Sequence, residues 1–182
     1  MRVILLCMLL CWASAGTAQA CSCLEMPVEA GLERSDVVFA GRIVKIEPVY
    51  LPSRHPGPGK TVTGAEEPIV VTFQVLRSWK GDTTKTIVLH THREFSACIG
   101  LMSQYCRVGA ELLVYAYNQP WESWSAGEND RAPEDAAAIG RYRKASGRTQ
   151  RLTSNICTRT RELAGAAEDL AKLGAGQEPR GR

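Results

Sequence analysis

The chain is poor in the features that announce an enzyme or a nucleic-acid binder. Histidine occurs only three times, at His55, His90 and His92. No G-x-S-x-G elbow is present, and nothing else points to a Ser-His-Asp or Cys-His site. A phosphate-binding loop is also missing. "GPGKT" at residues 57–61 has the lysine, but the pattern needs a glycine where Arg54 stands, and Val62-Thr63-Gly64 is no helix start. Charge of one sign is scarce: 22 Lys+Arg stand against 19 Asp+Glu. Apart from a basic cluster at residues 141–151 the charges are scattered, which argues against a nucleic-acid footprint. Beyond residue 12 no apolar run is long enough to cross a bilayer. These absences exclude no fold, but they point away from catalysis, a cofactor and a membrane span.

The first residues carry the clearest pattern. Arg2 gives a positive start, "VILLCMLLCW" at residues 3–12 a short apolar core, and Ala18-Gln19-Ala20 a small-residue exit. Together they predict a secretory signal peptide over residues 1–20. A membrane anchor needs a longer run and a polar stop-transfer flank. A lipoprotein signal wants a large aliphatic residue three before the cysteine and a small one two before, where Ala18 and Gln19 stand. Cleavage after Ala20 leaves Cys21 first, with a free α-amine, and a product that is secreted, extracellular or periplasmic.

The 162 residues that follow suit one domain. They keep five cysteines, Cys21, Cys23, Cys98, Cys106 and Cys157. In an oxidising compartment these should pair. Five cysteines allow at most two internal bridges and 15 schemes, and spacing selects none.

Several segments read as strands. Residues 35–49, "SDVVFAGRIVKIEPV", form a long β-branched run with a bend or bulge at Gly41. In "PIVVTFQVLRSW", residues 68–79, Val71, Phe73 and Val75 share one face, Thr72 and Gln74 the other. Residues 86–92 and 111–117 are further strands, and 151–157 a weaker fifth. Strands with short turns predict a mainly β chain built on a closed or nearly closed antiparallel sheet. Residues 51–66 read as an exposed loop. Residues 118–150 read mainly as an ornate loop, with a short helix near 133–139. Leu163, Ala166, Leu170 and Leu173 have helical spacing, with Thr158 or Thr160 as cap and Gly174 as stop. This C-terminal helix should lay its leucines on the sheet, and residues 175–182 should form a frayed, flexible tail. His90 and His92 share one strand face, but further ligands at metal spacing are missing. Even with Glu94 nearby, the pair reads as a solvated face.

Cys21-Ser22-Cys23 stands outside the usual setting of a redox pair, a helix N-terminus in a sheet–helix unit. Each cysteine is better read as a staple from the N-terminal segment to a different strand.

With its opening "CSC", the strand "SDVVFAGRIVKI", the "WKG" turn, "SAC", "LLVYAY" and "CTRTREL" before a helix, the chain resembles the tissue inhibitor of metalloproteinases family. More narrowly, it resembles single-domain, bacterial-style members of the netrin-like superfamily. The resemblance runs in order from Cys21 to about Gly174, so residues 21–174 would be the inhibitor domain. It implies an OB-like, five-stranded antiparallel barrel with a C-terminal helix. It also implies the bridges Cys21–Cys98 and Cys23–Cys157, leaving Cys106 over. A third bridge of animal members has no counterpart, since Glu33–Arg34 offers no cysteine, and their second domain is missing too.

The resemblance implies a monomeric inhibitor of zinc metalloendopeptidases, with no metal or cofactor of its own. The α-amine and carbonyl of Cys21 would chelate the target's catalytic zinc. Ser22 would face the pocket beyond the metal. Cys23 and Leu24, with Phe95, Ser96, Ala97 and Cys98 from the tethered loop, would complete a contact ridge. Phe95 departs from the acidic or polar residue often found there in animal members. The alternatives are a non-inhibitory netrin-like module that binds protein or glycan through the barrel face or residues 118–150, and a thiol-redox protein using Cys21 and Cys23.

Overall fold

The computed structural model describes residues 23–24, 26–51, 67–81, 84–94, 100–124 and 135–181. Helix α1 (Val28–Arg34) leads into β1 (Val37–Pro48), β2 (Glu67–Lys80), β3 (Thr86–Glu94), the short β4 (Leu101–Met102) and β5 (Glu111–Gln119). A 3₁₀ turn (Trp121–Trp124) and α2 (Ala136–Ser146) precede β6 (Arg151–Thr153) and β7 (Arg161–Glu162). A second 3₁₀ turn (Leu163–Gly165) runs into α3 (Ala167–Leu173). No helix among the described residues is long and apolar enough to cross a membrane.

The fold is mainly β with a C-terminal helix, as expected. Its sheet has seven strands rather than five, in the order β4-β3-β2-β1-β5-β6, with β7 on β5. All neighbours are antiparallel except β3 and β4. No ladder among the described residues joins β3 to β6, so the barrel is not closed by backbone pairing. The reason is length: β6 has three residues and spends its pairing on β5. Side chains cross the gap instead. Thr91 Oγ1 donates to the Ser154 carbonyl at 2.8 Å and Arg151 Nη1 to the His90 carbonyl at 2.6 Å.

Curvature comes from β1, whose register against β2 shifts between Val38 and Phe39, Ala40 and Gly41, and Ile43 and Lys45. A bulge bends a strand and increases its twist. At Gly41 a Cβ would lie 2.9 Å from the Phe39 ring and 3.2 Å from the Gln74 carbonyl, so only glycine fits. The bent sheet wraps a core of Phe39, Ile43, Val71, Phe73, Leu89, Leu112 and Val114. Phe39 and Phe73 meet edge to face at 5.3 Å. As the alternation predicts, Val71, Phe73 and Val75 are buried while Gln74 is exposed.

Two smaller clusters flank this core. On one side Leu163, Ala166, Leu170 and Leu173 meet Val38, Leu113 and Tyr115, with Leu32 of α1. On the other, Trp121, Trp124, Ala138 and Ile139 pack with Val49, Leu51 and Val70. The predicted helix near 133–139 starts at Ala136 and runs to Ser146, ending on Gly147 in the left-handed region (φ 64°).

The tail departs from its expected fraying. β2 extends past the end of β3, whose ladder stops at Gln74–Thr86, so an edge of β2 would stand open. Ser78 and Gln177 exchange backbone hydrogen bonds at 2.9 and 2.7 Å. Trp79 Nε1 donates to the Gly174 carbonyl and Arg77 Nη1 to the Ala175 carbonyl.

Candidate functional site: the anchored N-terminal segment

The N-terminal segment is held at Cys23 and at Met26. Cys23 forms a disulfide with Cys157, with the Cα atoms 5.3 Å apart and a sequence separation of 134. Cys157 lies in a turn fixed to β5. Its N–H donates to Asn155 Oδ1, Asn155 Nδ2 donates to the Tyr117 hydroxyl at 2.7 Å, and Ser154 Oγ donates to the Tyr115 carbonyl. A bridge to this turn therefore ties the N-terminal segment to the sheet.

The second anchor is the Met26 carbonyl, which accepts from Arg159 Nη1. Arg159 is the one described non-glycine residue with positive φ, 68°. Its side chain is 3% exposed and grips Asp169, Nε to Oδ1 at 2.7 Å and Nη2 to Oδ2 at 3.1 Å. The Tyr115 hydroxyl donates to the same Oδ1 at 2.8 Å. One buried network thus joins the N-terminal segment, β5 and α3. Burial pushes the Asp169 carboxyl up, but the hydrogen bonds from Arg159 and Tyr115 and the charges of Arg159 and Arg161 outweigh it, and the group is held below its usual range. Burial, then the hydrogen bond to Asp169 and its charge, raise the Tyr115 phenol. Breaking a buried pair of this kind by removing one partner costs about 3–5 kcal/mol.

Between the anchors Leu24 is 95% exposed. A leucine so exposed next to a disulfide is not part of the core. Of the predicted site residues, Cys23 and its neighbour Leu24 are described here, and Cys23 meets Cys157. Cys21, Ser22, Phe95, Ser96, Ala97 and Cys98, and with them the Cys21–Cys98 bridge, lie outside the described residues. Cys106 is half-buried against the main core, its thiol 3.9 Å from the Leu101 carbonyl.

Sequence reasoning missed the clamp. Thr160, expected as a helix cap, instead accepts from the Tyr115 N–H at 2.9 Å. Arg159 and Asp169 carried no signal beyond a buried arginine's need for a carboxylate. The histidine pair is also corrected: His90 and His92 are each 6% exposed, not solvated. The Trp121–Trp124 turn and α2 cover that strand face. His90 sits 4.7 Å from the Trp121 ring and 5.2 Å from that of Trp124, and His92 Nε2 lies 3.1 Å from the Trp124 carbonyl. Among the described residues no three metal-ligand side chains cluster. No known protein-family model matches the chain, and no curated protein matches it either.

Proposed function

We propose that the protein is a secreted inhibitor of zinc metalloendopeptidases, acting through the α-amine and carbonyl of a mature N-terminal Cys21. The observation that carries this reading is the pair of anchors around an exposed Leu24: the Cys23–Cys157 bridge on one side and the Arg159-held Met26 carbonyl on the other. Anchors at Cys23 and Met26 hold the backbone at those two points while the Leu24 side chain is presented outward.

The physics follows from that placement. A catalytic zinc keeps one coordination position open for water or substrate. A neutral amine nitrogen and a carbonyl oxygen together displace that water. An α-amine titrates near ~7.7–8.0, so part is neutral at neutral pH, and metal binding draws the rest off its proton. Ordering a free terminus costs roughly 1–2 kcal/mol per backbone residue. An anchored terminus meets that cost during folding rather than on binding. A second bridge, Cys21–Cys98, would complete the restraint, with Ser22, Leu24 and residues 95–98 forming the contact ridge. On this reading the curled sheet is an open form of an OB-like barrel, its β3–β6 seam joined by side chains.

The test is a panel of purified zinc endopeptidases assayed with oxidised protein and with protein reduced and alkylated. Inhibition of at least one member by the oxidised form alone is expected. Equal inhibition by both forms, or by neither, overturns the reading.

A further inference from the structure

A cleft of about 430 Å³ lies on the face of the sheet turned away from the main core. Glu47, Val70 and His90 stand in one row across β1, β2 and β3, and Thr72 pairs with Val88 in the next. The C-terminal turn of α2 supplies Tyr142 and Ser146, and Arg148 follows it. This volume falls within the range of small-molecule sites.

The lining is rich in polar groups without protein partners. His90 Nδ1 is buried and makes no hydrogen bond. Buried polar atoms are almost always satisfied, so an orphan beside a cleft calls for a ligand or water. The hydroxyls of half-buried Thr72 and Tyr142 and of exposed Thr86, and the guanidinium of exposed Arg148, have no hydrogen-bond partner among the described residues. Arg148 is nevertheless fixed by its backbone, whose carbonyl accepts from Trp121 Nε1 at 3.1 Å. Both signs of charge line the cleft: Glu47, which pairs with Lys45 at 3.0 Å, and Arg148. Burial, then the charges of Arg151 and Arg148, press the His90 imidazole down to about 4, so it is neutral at neutral pH. Val70, Val88 and Tyr142 add apolar wall.

We propose that this cleft binds a neutral polyhydroxylated ligand, a mono- or disaccharide. Hydroxyls that both donate and accept suit a ligand of the same kind. A carboxylate and a guanidinium suit neighbouring sugar hydroxyls, and the apolar wall suits a ring's C–H face. A net-charged ligand would meet one unfavourable partner in Glu47 or Arg148. The proposal rests on β1–β3 and α2 and is independent of the N-terminal segment.

The test is titration of ¹⁵N-labelled full-length protein with cellobiose, chitobiose and lactose, each as free sugar and methyl glycoside, with glycyl-tyrosine as the zwitterionic comparison. At least one sugar should shift the His90 imidazole resonances. Binding of free sugar alone marks a diffusible ligand, and binding of the glycoside as well marks the end of a glycan; either supports the site. Val88 is 38% exposed on the cleft wall, so Val88→Arg should fill the cleft without disturbing the core. It should abolish the shifts while leaving thermal unfolding unchanged. Arg148→Ala should weaken binding about tenfold or more. No shift with any sugar, shifts that survive Val88→Arg, or shifts with glycyl-tyrosine alone overturn the proposal.

Discussion

Replacing both Cys23 and Cys157 by alanine removes the one bridge the described residues contain without leaving a lone thiol. The bridge closes a loop of 134 residues. Chain-entropy reasoning for a loop of that length gives about 5 kcal/mol at 25 °C, an upper figure because native contacts persist in the unfolded chain. Against a total stability of roughly 5–15 kcal/mol, that loss is large. The Arg159–Met26 contact remains and keeps part of the segment in place. The midpoint of guanidinium unfolding should therefore fall sharply, while far-UV circular dichroism of the folded state stays the same. A second consequence concerns binding. Freeing two backbone residues should weaken inhibition by roughly 30- to 1000-fold. The double variant is assayed below its unfolding midpoint, by unfolding curves and by inhibition. An unchanged midpoint with unchanged slope would refute the claim that the bridge ties the N-terminal segment to the sheet.

Three further outcomes are expected. Asp169→Ala strands the Arg159 guanidinium and should destabilise by about 3–5 kcal/mol in chemical unfolding, with Asp169→Asn losing less; equal, small losses would contradict the buried network. His90 is neutral in the folded state, with its imidazole lowered to about 4 against about 6.5 when unfolded. The unfolded chain binds the extra proton first, so this stability is fully present above about 6.5 and is lost as pH falls toward about 4, by about 3 kcal/mol in all. Unfolding curves of the protein and of His90→Gln should diverge in pH dependence across that window, and parallel curves would rule this out. Deleting residues 175–182 uncovers the edge of β2 and should lower the melting temperature and raise self-association on size-exclusion chromatography; unchanged behaviour would show the edge is harmless.

Much of the sheet could be read from residues 35–49, 68–79, 86–92 and 111–117, because β-branched runs and period-two alternation report directly on strand faces. Gly41 was legible as a bend since glycine inside such a run marks a close approach. The α3 leucines were legible for the same reason of spacing. Other features depend on contacts far apart in the chain. β4 and β7 are two residues each and exist only through backbone pairing, which leaves no side-chain pattern. α1 carries Gly31 mid-helix, a weak propensity, and is held by packing: a Cβ there would sit 3.3 Å from the Tyr115 ring. His90 and His92 flank the polar Thr91 and precede Arg93, as residues of an exposed face would, and the tryptophans more than 30 residues on bury them. The bridge partner of Cys23 was legible through resemblance, not spacing. The Arg159–Asp169 pair, ten residues apart across a turn, offered no periodic signal.

The central claim is most directly tested at the α-amine. Protein whose intact mass places Cys21 first is compared with protein carrying one extra residue before it and with protein selectively acetylated at the α-amine, all with matching circular dichroism. The unmodified form should inhibit a zinc endopeptidase and both modified forms should not. Undiminished inhibition by a blocked or extended terminus would contradict zinc chelation by Cys21.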